Sequence, residues 1–457
     1  MLNPELVQEF STQLRGRVVQ PGDTDYDSAR KVYNAMIDRM PGLIVYCRDV
    51  ADVMRSVDFA REQQLLLAVR GGGHNGGGLG VCDEGLVIDL SNLHGIRVDA
   101  QQRTVRVEGG CLWRDVDHAT HAFGMATPSG IIASTGVGGL TLGGGLGHLT
   151  RKCGLSIDNL LQADVVLADG RMVTASEREN ADLFWALRGG GGNFGVVTSF
   201  LFRLHPVDTV FAGPTFWKPE QMAEVMRWYR DFIAAAPDDL NGFFATMTVP
   251  PGPPFPEELH GKPVCAVMWC YTGDPAQADA VFAPVRAFAS PLMHGVQQMP
   301  FTALQSAFDG LYPPGEQWYW RADFVNELSD AAIAEHQRFA ATLPTPKSTM
   351  HLYPIDGAAH RVGNADTAFS YRDARWAEVI VGVSPDAADR ERISDWTKAY
   401  WEAVHPYSAG GAYVNMMMDE GDQRVRASYR DNHARLVEVK RKYDPANLFR
   451  VNQNIVP

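Results

Sequence analysis

Short apolar runs and amphipathic stretches alternate along the beginning of the chain. Apolar residues recur on one face over 4–15, which predicts a helix, and 41–75 follows as strand, helix, strand and glycine-rich turn. The runs "LIVYC" and "LLLAV" are the predicted strands, and Asp49 stands where the intervening helix needs an N-cap. The pattern indicates a βαβ-like unit whose glycine turn lies at the carboxyl end of the second strand, where α/β sheets usually bind ligands.

The pattern changes again further along the chain. Residues 86–110 alternate like strands joined by short turns, and 111–124 is predicted to be a helix. A second glycine-rich stretch, 134–160, precedes the strand "ADVVLADGR", the helix "NADLFWALRGG" and the strand "FGVVTSFLFRL". From about Pro206 proline and aromatic residues become frequent and glycine clusters vanish until about 410, so we place a domain boundary near 206. The final stretch, "YDPANLFRVNQNIVP", is predicted to be irregular and could return to the first domain.

Length, composition and charge narrow the class of protein. The 457 residues exceed the usual size of one hydrophobic core, so we expect two or three domains. A net charge of -13 argues against nucleic acid or an anionic membrane as a partner, because both repel a broadly acidic surface. No apolar run reaches transmembrane length and the N-terminus lacks the apolar region of a signal peptide, so we expect a cytoplasmic protein.

Cysteine and histidine spacing gives no sign of a metal site. The six cysteines are scattered singly, without CxxC spacing, and we expect reduced thiols. His118 and His121 lack a further ligand at a matching spacing, and no HxH or HExxH pattern occurs near the glycine-rich turn. No GxSxG or SxxK motif supports nucleophilic hydrolysis.

Two glycine clusters carry the candidate chemistry. "RGGGHNGGG" and "GVGGLTLGGGLG" follow or join apolar runs, so their exposed amides could form a nest for an anion, and Arg70 adds a possible charge-assisted contact. A histidine in a loop is more often solvated or hydrogen-bonded than functional. His74 stands between two glycine triplets, however, where no other side chain could contact a bound ligand.

Two further motifs have simpler interpretations. "GGGNFG", 190–195, matches the dinucleotide fingerprint GxGxxG, but a helix precedes it and a β-rich segment follows, which is the reverse of the required order. We interpret it as a helix C-cap and tight turn, with a different kind of nucleotide contact left open. The aromatic segment 311–320, "LYPPGEQWYW", could line an apolar pocket or belong to the core, and the core is favoured.

Four ordered motifs carry a family resemblance: "RGGGHN", "TGVGGLTLGGGLGHLTRKCGLSIDNLL", "DLFWALRGGGGNFGVVT" and the terminal "YVN…YDPANLFRVNQNI". The chain resembles the FAD-linked oxidases of the berberine bridge enzyme and 6-hydroxynicotine oxidase type, in the vanillyl-alcohol oxidase superfamily with its PCMH-type FAD-binding domain. The resemblance covers nearly the whole chain. It implies an α+β fold with an FAD-binding domain of two α/β subdomains (1–205), a substrate domain with an antiparallel sheet backed by helices (206–410), and a C-terminal segment returning to the FAD domain (411–457).

The resemblance also implies a cofactor site, in which a ring nitrogen of His74 is bonded to the flavin 8α-methyl. The main chain of 70–75 would cradle the pyrophosphate, 135–147 would lie along the cofactor, and 195–197 would meet the adenine. The terminal N-x-N asparagines would approach the flavin. The cofactor-binding positions implied in this way are Arg70, Gly71, Gly72, Gly73, His74, Asn75, Thr135, Gly136, Gly138, Gly139, Thr141, Gly145, Gly147, Gly154, Ile157, Asp158, Asn159, Gly195, Val197, Asn452 and Asn454.

One departure from the family pattern concerns the covalent bond. Bicovalent members carry a second link, through a cysteine, at the position that Ile132 occupies here. The resemblance therefore implies a single bond. Cys153 falls where relatives usually have tyrosine and is not the linking thiol.

A second departure concerns the catalytic base. Several relatives place a tyrosine base at the fourth position of Y-x-N-Y, where this chain has Met416, which cannot accept a proton. Tyr413 is then the nearest candidate, followed by Tyr353 and Tyr371.

The activity implied by the resemblance is oxidation of a small alcohol, sugar or amine by hydride transfer to flavin N5, with reoxidation by O2 giving H2O2. The position that controls oxygen access in plant relatives is Thr135 here, so a dehydrogenase using another electron acceptor is an alternative. The missing tyrosine base suggests a third possibility, a flavoprotein that binds a ligand without turnover.

Overall fold

Strands and helices alternate irregularly in the computed structural model, which describes residues 3–457, and the fold is α+β. The strands are β1 (Arg17–Val19), β2 (Leu43–Tyr46), β3 (Leu67–Arg70), β4 (Leu86–Asp89), β5 (Ile96–Asp99), β6 (Thr104–Glu108), β7 (Met125–Ala126), β8 (Leu160–Val166), β9 (Met172–Ser176), β10 (Val196–Arg203), β11 (His205–Pro206), β12 (Thr209–Trp217), β13 (Leu240–Thr248), β14 (Pro263–Tyr271), β15 (Met293–His294), β16 (Gln297–Pro300), β17 (Gln317–Val325), β18 (Thr349–Pro354) and β19 (Trp376–Ser384). The α-helices are α1 (Pro4–Thr12), α2 (Tyr26–Ala29), α3 (Val50–Glu62), α4 (Trp113–His121), α5 (Val137–Gly143), α6 (Thr150–Cys153), α7 (Ala181–Leu187), α8 (Met222–Ala235), α9 (Ala278–Ala287), α10 (Phe301–Gln305), α11 (Asp330–Ala340), α12 (Arg390–Val404), α13 (Asp422–Tyr429) and α14 (Asn432–Tyr443).

The first sheet has the order β1-β2-β4-β3, in which β2 and β3 both run parallel to β4. Helix α3 connects β2 to β3 and begins as predicted, because the Asp49 side chain accepts a hydrogen bond from the backbone N–H of Asp52. The sequence places β4 in an alternating stretch, but all of its residues are buried, because a central parallel strand is covered on both faces. The predicted βαβ-like unit is confirmed, with β4 inserted between its strands.

The second sheet is antiparallel, with the order β5-β6-β10-β8-β9. Helices α4 and α7 lie within the segments predicted to be helical. After α7 the chain turns through Gly189 at φ +119° and Gly191 at φ +73°, and β10 follows. These left-handed conformations favour glycine, so the tight turn predicted for "GGGNFG" is confirmed.

The largest sheet is antiparallel, with the order β15-β12-β14-β13-β18-β19-β17 and with β16 paired to β12. Helices α8, α11 and α12 pack on one face, where Met350 and Leu352 of β18 belong to the shared core. Because side chains alternate along a strand, their neighbours in β18 face the opposite side. The antiparallel sheet backed by helices agrees with the expected fold, while the boundaries at 206 and 410 stay predictions.

One apolar cluster connects the second sheet to the largest one, and it includes Val165 of β8 and Val379 of β19. A buried ion pair crosses the same boundary: the two Nη atoms of Arg372 donate to the carboxylate of Asp158 at 2.8 and 2.7 Å. The two sheets therefore share an interior.

The C-terminal residues contact the glycine turn 190–195. The buried Lys440 Nζ donates to the backbone oxygen of Asn193 and to Asp444 Oδ2, both at 2.7 Å. Asn193 Oδ1 accepts a hydrogen bond from the backbone N–H of Ile455 at 3.0 Å. The residues after α14 form no regular element, as predicted, and they are held against the turn by these bonds.

Candidate active site

A cavity lies between the glycine-rich loops, the largest sheet and the C-terminal residues. It brings together most of the positions singled out from the sequence. Those that line it are Arg70, Gly71, Gly72, Gly73, His74, Asn75, Thr135, Gly136, Gly138, Gly139, Gly195, Val197, Asn452, Tyr353 and Tyr413.

The loop after β3 presents free amide donors to this cavity. No backbone N–H of 71–75 donates to an acceptor within residues 3–457. Gly73 has φ +67°, and a Cβ on Gly72 would lie 2.4 Å from the backbone nitrogen of Gly136. The two glycine loops thus approach too closely for a side chain at Gly72, and the amides of 71–75 remain available to an anion.

His74 is held from two sides. Its Nε2 lies 3.1 Å from Ser134 Oγ, and its ring stacks on Tyr33 with centroids 3.9 Å apart. Nδ1 forms no hydrogen bond with residues 3–457. Burial lowers the pKa of His74 to about 4, so the imidazole is neutral near pH 7 and a nitrogen lone pair is available.

Arg70 does not offer its charge to the cavity, contrary to the contact expected from the sequence. Its Nε donates to Asp89 Oδ2 at 2.6 Å, and the pair is buried. Nη2 donates to the backbone oxygen of Ala29 at 2.7 Å, and Nη1 donates to that of Lys31 at 3.3 Å. Because each guanidinium nitrogen has a protein partner, Arg70 instead anchors the segment before β2 beneath the glycine loop.

The remaining predicted cofactor positions do not line the cavity: Thr141, Gly145, Gly147, Gly154, Ile157, Asp158, Asn159 and Asn454. Several have packing roles. Asp158 is paired with Arg372, and Asn159 Nδ2 donates to two backbone oxygens of the preceding turn at 2.9 and 3.0 Å. A Cβ on Gly147 would lie 2.0 Å from the backbone oxygen of Ser129. Part of the second glycine stretch therefore shapes the loop without lining the cavity.

Tyr371 lies away from the cavity, which corrects its place among the candidate bases. Its hydroxyl donates to the backbone oxygen of Ala427 at 2.9 Å, and its ring stacks on Phe324 with centroids 4.4 Å apart. A phenol fixed in this way outside the cavity cannot reach a substrate within it.

Tyr413 lines the cavity, but its oxygen is already an acceptor. The backbone N–H of Gly145 and Asn415 Nδ2 both donate to it at 2.8 Å. Burial raises the pKa of Tyr413 to about 12, so the phenol is neutral near pH 7. A neutral phenol with both lone pairs engaged can donate a hydrogen bond but has little capacity to accept a proton.

Tyr353 lines the cavity together with His351, a residue that the sequence reasoning missed. The Tyr353 hydroxyl lies 2.6 Å from His351 Nδ1. In "TMHLYP" of β18, Thr349, His351 and Tyr353 alternate with core residues, and this alternation is the signal that could have identified His351. Burial lowers the pKa of His351 to about 3, so this imidazole is also neutral near pH 7.

Aromatic residues of 311–320 form part of the cavity wall. Tyr312, Trp318 and Trp320 line it, and Trp318 also belongs to the core. The sequence favoured a place in the core for this segment. That interpretation is incomplete, because these side chains line the cavity as well as packing against the core. The Trp318 ring lies 5.3 Å from that of Tyr33, which stacks on His74, so the aromatic wall extends to the histidine.

Comparison with known proteins identifies the family. Residues 41–176 match the FAD binding domain family, and 412–456 match the family described as berberine and berberine like. An FAD-linked oxidoreductase of Dictyostelium discoideum is 33% identical over 99% of this chain and 97% of the relative. An FAD-linked oxidoreductase of Bacillus subtilis is 31% identical over 98% of both chains. The chain belongs to the berberine bridge enzyme-like FAD-linked oxidoreductases.

Solved structures share the fold of this FAD-linked oxidoreductase. A 6-hydroxy-D-nicotine oxidase from Arthrobacter nicotinovorans superposes with a TM-score of 0.87 at 24% identity, over 97% of this chain and 98% of that chain. A glucooligosaccharide oxidase from Acremonium strictum, described with a 6-S-cysteinyl, 8α-N1-histidyl FAD, has a TM-score of 0.84 at 22% identity, over 96% of both chains.

The residues of this oxidoreductase fit an FAD molecule. The unpartnered amides of 71–75 suit the anionic pyrophosphate, and a Cβ on Gly139, on the same cavity wall, would meet no atom within 4 Å, so open space lies beside the second glycine loop. Bound FAD supplies a two-electron acceptor. Asn193, Asn452 and Gln453 also line the cavity, where the C-terminal residues meet the glycine turn.

Ile132 and Thr135 line the cavity of this oxidoreductase. Within residues 3–457 none of the six cysteines lies on the cavity wall, and all six are free. Among the helices described, none is both long and apolar enough to cross a bilayer. A cytoplasmic location stays a prediction.

Proposed function

We propose that this oxidoreductase oxidises a small organic molecule with FAD held by one covalent bond, from His74 to the flavin 8α carbon. The observation that carries the proposal is the combination of the free amides of 71–75 with a fixed, neutral imidazole at the same loop. Such a loop can bind the anionic part of FAD and present a nitrogen lone pair beside it. The histidyl FAD of the glucooligosaccharide oxidase supports the same chemistry.

Nδ1 is the nitrogen that we assign to the bond, since Nε2 is occupied by Ser134. In the tautomer required, Nε2–H donates to Ser134 Oγ, and after the bond forms Nε2 accepts from the same hydroxyl. Formation of this bond would remove one hydrogen from the 8α-methyl group and one from the imidazole of His74. The two protons and two electrons released would reduce O2 to H2O2. The linked chain therefore weighs two hydrogens less than chain plus FAD.

A single link is proposed because Ile132 cannot form a second one and no cysteine lies on the described cavity wall. The positions that would hold FAD are those of the two glycine loops that line the cavity, together with Gly195, Val197 and Asn452. Side chains of the largest sheet would position the substrate.

We further propose that O2 reoxidises the flavin, with H2O2 as the product. Thr135, at the position that controls oxygen access in plant relatives, lines the cavity with a small side chain. The names of the nicotine and glucooligosaccharide oxidases support an oxidase.

Anaerobic reduction followed by air tests this activity. The holoenzyme is mixed without oxygen with alcohols, sugars and amines, and the loss of visible flavin absorbance is followed. Bleaching that air reverses rapidly, with one H2O2 per turnover, is expected. Bleaching without rapid recovery in air would contradict the oxidase and favour a dehydrogenase, and no bleaching by any compound would favour a protein that binds without turnover.

A further inference from the structure

The cavity wall is free of available charge. Among the described residues that line it there is no aspartate, glutamate or lysine, and Arg70 is the single arginine. The Arg70 guanidinium is engaged with Asp89 and backbone oxygens. An ionised substrate would leave water here without a countercharge, which is strongly unfavourable. The free amides of 71–75 suit an anion, whereas the part of the wall formed by the largest sheet favours an uncharged ligand.

The face of the largest sheet is mostly apolar. Trp318 and Trp320 of β17 and Val379 and Val381 of β19 line the cavity, and these two strands follow β18 in the order of the sheet. The Thr349 hydroxyl, on the same face, donates to the backbone oxygen of Thr246 at 2.8 Å, so its donor is used. A sugar, which needs many hydrogen-bonding partners, would leave several hydroxyls unpaired on this face.

One polar pair interrupts this apolar face. His351 Nδ1 and the Tyr353 hydroxyl are hydrogen-bonded at 2.6 Å. His351 Nε2 forms no hydrogen bond with residues 3–457 and is not enclosed by protein atoms, so it faces the cavity. In the tautomer with the proton on Nδ1, this nitrogen donates to the Tyr353 oxygen, and Nε2 directs its lone pair into the cavity.

We propose that the substrate is an uncharged, largely apolar alcohol whose hydroxyl group binds His351 Nε2, and that His351 accepts the hydroxyl proton during oxidation. Tyr353 is a positioning residue, because it acts on the tautomer and orientation of His351 rather than on the substrate. This inference rests on the proposed FAD-dependent oxidation. It supplies the base that Met416 cannot provide.

The atoms and electrons of the step balance. The carbon that bears the hydroxyl loses hydride, with both electrons of its C–H bond, to the flavin, and the O–H proton moves to His351 Nε2. The C–O bond becomes C=O, and the proton on His351 leaves to solvent before the next turnover. Burial lowers the pKa of His351, so the imidazole is uncharged near pH 7 and the Nε2 lone pair is present before the step.

The test compares three classes of probe on the anaerobic holoenzyme at neutral pH: apolar alcohols, a sugar and a cationic amine. The probes are 4-methoxybenzyl alcohol and cinnamyl alcohol, the sugar cellobiose, and the cationic benzylamine. Bleaching of the flavin by an apolar alcohol, and by neither cellobiose nor benzylamine, is expected. No bleaching by either alcohol, or faster bleaching by cellobiose or benzylamine, would overturn the substrate class.

Two variants test the roles of the pair. His351→Gln is expected to lower the limiting bleaching rate by at least about 100-fold, the usual contribution of a general base. Tyr353→Phe should lower the limiting rate by a smaller factor and leave the half-saturating alcohol concentration unchanged. His94→Gln, which removes an exposed imidazole elsewhere, serves as the matched control and should behave like the unmodified chain. An unchanged rate in His351→Gln would overturn the assignment of the base.

Covalent flavin content and thermal midpoint, measured on the same samples, separate this inference from the proposed function. Covalent flavin that is bleached only by sugar or amine would leave the proposed function standing and overturn the inference. Flavin lost on denaturation would contradict the covalent bond without bearing on His351. A variant that keeps its flavin and its midpoint has folded, so its rate reports the chemistry.

Discussion

Ser134 is the residue that leaves only one nitrogen of His74 free. Its hydroxyl binds Nε2 at 3.1 Å, while the ring is packed on Tyr33. Ser134→Ala removes a hydrogen bond of about 1 kcal/mol and should slow covalent attachment of FAD by about fivefold. Ser134→Thr keeps the hydroxyl and should attach FAD at close to the normal rate. The measurement is the fraction of flavin that stays with the acid-precipitated chain over time, and equal rates in all three chains would show that Ser134 does not orient the ring.

The protonation of His74 predicts how attachment depends on pH. Because the pKa of His74 is lowered to about 4, the neutral nucleophile is present throughout pH 6–8, and the attachment rate should be flat there. The rate should fall as pH drops toward 4, where the imidazole gains a proton. An exposed histidine, with a pKa of about 6.5, would instead lose half of its rate near that pH. The rate is measured by adding FAD to chain produced under flavin limitation, and a midpoint near 6.5 would contradict the lowered pKa of His74.

At the residue scale the sequence singled out the glycine loop but not His351 on the largest sheet. His74 is conspicuous because glycines surround it, whereas His351 lies in an ordinary strand, and only the arrangement of the sheet shows which face it occupies. Arg70 was assigned to an anion because the sequence does not reveal Asp89, its partner on β4. Local sequence patterns cannot predict side-chain contacts between residues that are distant along the chain.

At the element scale, the C-terminal residues depend on the last turn of α14. Lys440 and Asp444 form a fully buried ion pair that also binds the backbone of the glycine turn. Lys440→Met leaves the Asp444 carboxylate buried without its cation, which should destabilise the chain by about 3–5 kcal/mol. Lys442→Met, two residues along, removes an exposed pair with Asp182 and should cost about 0–1 kcal/mol. Urea unfolding compares the two variants, and similar losses would contradict the anchoring role of Lys440.

The elements themselves were predicted where local signals are strong. Asp49 caps α3 as expected, and glycines end α7 in the expected turn. The place of β4 between β2 and β3 could not be predicted, because pairing between parallel strands depends on contacts across tens of residues and leaves no local pattern.

At the scale of the whole molecule, the second sheet and the largest sheet share one apolar cluster and the buried pair between Arg372 and Asp158. We therefore expect the two to unfold in one transition. Circular dichroism of the backbone and fluorescence of the flavin and tryptophans should give the same thermal midpoint. Two separated midpoints would show that the halves unfold independently and that their shared core is weak.

The whole-molecule prediction from the sequence was correct in its fold class, since α+β and the antiparallel sheet backed by helices are both present. This prediction rested more on the four ordered motifs than on the hydrophobic periodicity, because the motifs determine the order of the loops around one cavity. The substrate side of the cavity is formed by side chains from several strands. Those side chains could be identified only from the three-dimensional arrangement of the strands.

Intact mass and peptide mapping of the acid-denatured chain test the central claim most directly. The account predicts one FAD per chain, less two hydrogens, on the peptide that contains His74, and no flavin in His74→Ala after denaturation. Flavin released from the unmodified chain, flavin on another residue, or a second link through a cysteine would contradict it.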